Sequence, residues 1–145
     1  MIVTLDTGVL VRATSRSNGP ARRLLQEIAG NSAHVLALSP FIIGEVGKVL
    51  SYPRLGEVLR ITPEEIYDHL AYLRRVCRLV EPGLGLPVVL TDPDDDPVVY
   101  TAVGSGASVL CTRDRDFYAP NVTAFCQRYT IDVMDDIQLL AALKT

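Results

Sequence analysis

Short apolar runs alternate with amphipathic stretches along the whole chain, and that alternation predicts the elements. Ile2–Leu5 is an apolar run with the length of a buried strand, and residues 8–13 turn into a short helix. Gly19-Pro20 punctuates the chain. Residues 21–29 then carry apolar side chains at helical spacing (Ala21, Leu24, Leu25, Ile28), closed by Gly30 or Asn31. Val35–Leu38 is a second strand. Ser39-Pro40 is an N-cap followed by proline at the first helical position, opening a helix that runs to about Leu50 and is stopped by Pro53. Thr62-Pro63-Glu64-Glu65 is a capping box opening a helix to about Val76.

Residues 78–81 form a third strand in this reading, and residues 82–93 a loop rich in Gly and Pro. Residues 97–103 are helical, ended by Gly104 or Gly106, and 108–112 is another short apolar strand. The pattern over 121–126 assigns no element. Residues 129–133 read as a last strand and 135–143 as a final helix. No internal repeat, low-complexity tract or linker divides the chain, so residues 1–145 are expected to form one domain. Strands alternating with helices predict an α/β fold, a three-layer α/β/α sandwich on a mainly parallel sheet. In such sheets ligands gather beyond the carboxyl ends of the strands.

Composition narrows the class. Of 145 residues, 48% are hydrophobic and 21% charged, a globular balance that excludes wholesale disorder. No apolar run reaches the roughly 18 residues of a membrane span, and MIVTLD carries no sign of a secretory leader. Cys77, Cys111 and Cys126 lie far apart and form no C-x-x-C pair, which indicates neither a disulfide framework nor a thiolate zinc site. A reducing cytoplasm is the simplest home. The net charge of −3 disfavours a protein that coats duplex nucleic acid by bulk electrostatics. Of the 14 basic residues, however, only Lys48 and Lys144 are lysine and 12 are arginine, the better fork for phosphate.

The acids then change the picture. Asp6 directly follows the first strand, and Asp114 and Asp116 follow the strand ending at Thr112. Asp92, Asp94, Asp95 and Asp96 cluster before a helix, where acids complement the dipole. Taken singly, each has an ordinary reading as a cap or a solvated loop residue. Glu45 is harder to dismiss. Its helical neighbours Phe41, Ile42 and Val49 make an apolar face, where an unpaired carboxylate is costly unless Lys48 pairs with it. Asp96 shows the same pattern, in line with Val99, Tyr100 and Val103. Acids on the inner sides of two helices, plus others at strand ends, point to a shared hard cation. Mg²⁺ or Mn²⁺ takes oxygen ligands, and without one the clustered carboxylates raise each other's pKa values. Such a site suits metal-assisted phosphodiester hydrolysis. His34, His69 and the serines show no triad-like arrangement.

The chain resembles a PIN domain, specifically the VapC-like toxins and related bacterial PIN proteins of toxin–antitoxin pairs. LDTGVLVRA resembles the family's opening strand-Asp-Thr-Asn signature, SPFIIGEVGKVL its second block, and TDPDDDPVVYTAVGSGASVLCTRDRDF its third and fourth blocks together. The resemblance implies four catalytic, metal-binding acids, Asp6, Glu45, Asp96 and Asp114, with Asp116 as an auxiliary ligand. Thr7, Thr112 and Asp92 are the candidates to support and orient them. It implies a Mg²⁺- or Mn²⁺-dependent ribonuclease cutting RNA, a homodimer, and an inhibitory antitoxin as partner. Gly8 departs from the family's usual Asn and removes one orienting side chain. For RNA contact the candidates are Arg12 and Arg16, which follow Asp6, and Arg113 and Arg115, which flank Asp114.

Rival readings are weaker. Leu5-Asp6-Thr7-Gly8 is also the aspartic-protease signature, but that chemistry needs two copies and an all-β fold. A haloacid-dehalogenase-type phosphatase wants a second acid where Gly8 stands. A degenerate nuclease fold that only binds RNA or protein is the remaining rival. Gly8 supports it, whereas clustered acids beside a polyanion oppose it.

Overall fold

Five short segments become strands in the computed structural model, which describes residues 1–144. They are β1 (Ile2–Leu5), β2 (Val35–Leu38), β3 (Cys77–Leu79), β4 (Val109–Cys111) and β5 (Asp132–Met134). All pair in parallel, in the order β3-β2-β1-β4-β5. A parallel sheet covered on both faces needs apolar side chains on both, and Val3, Leu5, Leu36, Leu38, Val109 and Leu110 are all buried. Thr4 is the polar exception in β1. Its hydroxyl donates to the Ala37 carbonyl at 3.0 Å, which satisfies it inside the sheet.

Helices cover the sheet to complete the three-layer α/β/α sandwich. They are α1 (Thr7–Val11), α2 (Pro20–Gly30), α3 (Pro40–Leu50), α4 (Pro53–Leu59), α5 (Pro63–Val76), α6 (Asp96–Ser105), α7 (Pro120–Gln127) and α8 (Asp136–Leu143). Their starts follow local chemistry. Ser39 caps α3 by accepting from the Ile42 N–H, and Thr62 with Glu65 forms the expected capping box on α5. Asp135 and Gln138 make a second box on α8. At the end of α6, Gly106 takes the left-handed φ of 68°. Leu24 and Leu25 of α2 and Leu139 of α8 are fully buried where those two helices pack. Burying each such side chain contributes roughly 1.5–3 kcal/mol.

Four local expectations change. Pro53 does follow the end of α3, but it also occupies the first turn of α4, which the pattern did not predict. Residues 120–127 are helical. The third strand sits one residue earlier than expected and is shorter. The last strand begins only at Asp132, because Tyr129 and Thr130 close the end of α7 with bonds to Cys126 and Gln127, Thr130 at a φ of 58°.

Strand order decides where a site can form. The chain winds from β1 to β2 and β3, then returns to the other side of β1 for β4 and β5. The carboxyl ends of β1 and β4 therefore flank the switch point. There the ladder runs one residue past the strands: Asp6 donates its N–H to the Cys111 carbonyl at 2.9 Å, and Thr112 donates its own to Met134 at 2.9 Å. Asp6 and Thr112 are thus set side by side by the sheet itself.

Candidate functional site

Asp6 stands at the centre, 7% exposed. Its two carboxylate oxygens accept from the Thr7 N–H at 2.7 Å and the Thr112 hydroxyl at 2.8 Å. The Thr112 oxygen in turn accepts from the Asp114 N–H at 3.0 Å. One buried hydroxyl thereby links the ends of β1 and β4. Burial pushes the Asp6 carboxyl above its ordinary range; the bonds from Thr112 and Thr7 oppose this, and nearby Asp114 adds to it. The expected supporting roles of Thr7 and Thr112 have this physical form, a backbone donor and a side-chain donor.

The acidic segment ahead of α6 corrects the assignment of its acids. Asp96 turns away from the site. Its Oδ1 accepts from Val88 N–H at 3.1 Å and Val89 N–H at 2.8 Å, and it does not line the cavity described below. Side chains at a helix start lean back toward the preceding chain, so Asp96 meets the incoming loop and supplies its unpaired amides. The apolar alignment with Val99, Tyr100 and Val103 does mark an inward face, but that face braces a loop.

Asp95 takes the inward place. It ends the 3₁₀ turn Pro93–Asp95, which runs directly into α6. Its carboxylate lies with those of Asp92 and Asp116, one oxygen of each within 4.8 Å of the others. Asp95 Oδ2 is buried without a hydrogen-bond partner. Burial, then the charges of Asp92, Asp6, Asp114 and Asp116, push the Asp95 carboxyl up to about 7. Periodicity counted from the helix alone could not choose between three consecutive acids. The signal that could have done so is the proline pair, Pro93 and Pro97, which splits the segment into a turn and a helix.

Asp6, Glu45, Asp92, Asp95 and Asp114 line one cavity of about 830 Å³, together with Thr7, Gly8, Arg12 and Arg113. Glu45 is half-buried on α3 and makes no hydrogen bond or ion pair among the described residues, so the alternative of a Glu45–Lys48 pair does not form. Helix α3 is held against α6 by the Ser39 and Thr101 hydroxyls, 2.9 Å apart. Asp114 accepts from the Asp116 N–H at 3.0 Å, which fixes the turn after β4. Gly8 sits at the rim, where a Cβ would stand 3.5 Å from Arg12 Nη1.

The four candidate arginines separate. Arg12 and Arg113 line the cavity. Arg16 does not; it forks onto Glu65 at 2.6 and 2.8 Å, and neither residue lines the cavity. That bond holds Glu65 down at about 2. Arg115 is exposed and also lies outside the cavity lining. Arg113 pairs with buried Asp136 at 2.6 Å, and not with the aspartates adjacent to it in sequence. His69 is structural: its Nε2 meets the Leu10 carbonyl at 3.0 Å, tying α5 to α1. The three cysteines are free, as their spacing implied.

Carboxylates thus outnumber the arginines and Lys48 around the cavity, and one of them keeps an orphaned oxygen. A hard divalent cation fits this donor set, because it supplies the missing positive charge and takes oxygen ligands. No helix among the described residues is long and apolar enough to cross a membrane.

Residues 2–116 match a family model described as PIN domain. Among solved structures, the fold is similar to a chain of VapBC2 from Rickettsia felis, crystallised bound to a DNA fragment from its promoter. That likeness has a TM-score of 0.57 at 14% identity and covers 92% of this chain and 98% of the other. No curated protein matches the sequence.

Proposed function

The chain belongs to the PIN domain family, and from that premise we propose that it is a Mg²⁺- or Mn²⁺-dependent endoribonuclease, the toxin of a toxin–antitoxin pair. The observation that carries this reading is the convergence of Asp6, Glu45, Asp92, Asp95 and Asp114 on one cavity, with Asp95 left unpaired and pushed up to about 7. Asp6, Asp95, Asp114 and Glu45 would hold the ion, with Asp92 and Asp116 beside them. Asp96 is replaced by Asp95 in this set. When bound, the cation polarises a phosphoryl oxygen and activates water for attack.

The chain's own groups do the rest. Thr112 and the Thr7 amide hold Asp6 in one orientation, so the central carboxylate needs no rearrangement on binding. Asp95, with its carboxyl near 7 before a cation binds, can hold a proton near neutral pH, and Glu45 stands unpaired in the same cavity. Arg12 and Arg113 at the cavity wall can meet phosphate oxygens. An antitoxin partner is supported by the similarity in fold to VapBC2. Homodimers, which the family resemblance implies, and a cytoplasmic location, to which the free cysteines point, complete the reading.

A catalytically degenerate module that only binds RNA or protein is the second reading, favoured by Gly8. Calorimetry with Mn²⁺ on wild type and Asp6→Asn separates the two. The nuclease reading expects binding by the wild type, weakened more than about 100-fold in the variant, and Mn²⁺-dependent cleavage of single-stranded RNA. No Mn²⁺ binding, or binding indifferent to the substitution, leaves the module.

A further inference from the structure

Asp136 is the buried acid that the site described above does not use. It is the first residue of α8, with a side chain only 2% exposed, and it accepts from Arg113 Nε at 2.6 Å and from the Ile137 N–H at 3.2 Å. A carboxylate this deeply buried is unfavourable unless a cation pairs with it. Simple packing of α8 would be served as well by an apolar side chain there.

Its partner stands in a telling place. Arg113 lies between Thr112, which orients Asp6, and Asp114. Its side chain is 45% exposed, and only its Nε is engaged among the described residues, so the Nη donors remain available. Arg113 lines the acidic cavity and also a neighbouring cavity of about 210 Å³, which Asp136, Gly19 and Pro20 share. It therefore stands on the ridge between the two. A polyanionic strand approaching the acids crosses this ridge, and a guanidinium fixed through Nε presents its Nη fork to a phosphate with less entropy left to lose.

We propose that Asp136 is a positioning residue: it holds Arg113 on the ridge so that the free edge of the guanidinium binds a phosphodiester of the RNA strand entering the acidic cavity. This rests on the nuclease reading and adds to it a residue on a distant helix that acts only through Arg113.

The test is the binding of a labelled single-stranded RNA oligonucleotide in EDTA, by fluorescence anisotropy across a salt series, with Tm measured in parallel. Wild type, Asp136→Asn, Arg113→Ala and the double variant are compared. Each single variant is expected to lose about ten-fold in affinity and to reduce the slope of log K against log salt by about 0.7, one phosphate contact. The double variant should bind no more weakly than Arg113→Ala alone. Arg113→Lys keeps the ion pair but loses the fork, so it should keep Tm while losing affinity, and it carries the test if Asp136→Asn does not fold.

An Asp136→Asn that lowers Tm but leaves affinity and salt slope unchanged overturns the proposal. So does an equal loss on adding Asp136→Asn to Arg113→Ala, or full affinity in Arg113→Lys. Wild type that binds RNA with the expected coupling but shows no Mn²⁺-dependent cleavage ends the nuclease reading alone. Wild type that binds no RNA overturns the proposal, and Mn²⁺-dependent cleavage decides the nuclease reading separately.

Discussion

Asp6 and Asp95 are acids of the same cavity held in opposite ways. Asp6 has two donors, from Thr7 and Thr112, and its place is dictated by the ladder between β1 and β4. Asp95 has an oxygen with none and sits among like charges on a turn outside the sheet. Burial pushes both carboxyls upward; bonds from Thr112 and Thr7 oppose the rise at Asp6, whereas at Asp95 the charges of Asp92, Asp6, Asp114 and Asp116 add to it and push the carboxyl up to about 7. One acid is already organised for its task. The other carries a burial and like-charge penalty that a proton or a cation relieves.

The sharpest way to break this contrast is to compare Asp95→Asn with Asp96→Ala. Asp95→Asn should weaken Mn²⁺ binding by more than about ten-fold, while raising the Tm of the metal-free protein above neutral pH. Asp96→Ala should leave Mn²⁺ binding within a few-fold and cost about 1–3 kcal/mol of stability, since the Val88 and Val89 amides lose their acceptor. Denaturant unfolding and calorimetry read both. Reversal of the two outcomes would restore Asp96 to the site.

Thr112→Val should come next, lowering Mn²⁺ affinity about ten-fold by freeing Asp6 to rotate, with cleavage falling in parallel. Wild-type affinity in that variant would show that the sheet and the Thr7 amide suffice to orient Asp6.

A pH series sharpens the comparison further. Between about 4, the ordinary carboxylate value, and the raised value of about 7, folded Asp95 keeps a proton that the unfolded chain has lost. The stability it contributes is present below that window and is lost as pH rises through it. Mn²⁺ bound as proposed would displace the same proton, so its affinity should rise through the window and level off above about 7. Calorimetry at pH 6 in two buffers of different ionisation enthalpy should show proton release, and Asp95→Asn should remove most of it.

The smallest effect belongs to Arg16→Ala. With its guanidinium committed to Glu65 away from the cavity, RNA affinity should not change measurably. A several-fold loss would return Arg16 to the RNA path.

Much of this molecule was legible from the order of its residues. Short apolar runs marked β1, β2 and β4, because strands buried on both faces must be apolar on both. Ser39 and Thr62 marked helix starts, because capping is chemistry within three residues. Asp6, Glu45 and Asp114 could be placed because each follows from a strand end or a helix face. The choice of Asp95 over Asp96, the diversion of Arg16 to Glu65 and the pairing of Arg113 with Asp136 could not. Each depends on which groups from distant parts of the chain arrive with unsatisfied bonds or charges, and only the packed structure decides that.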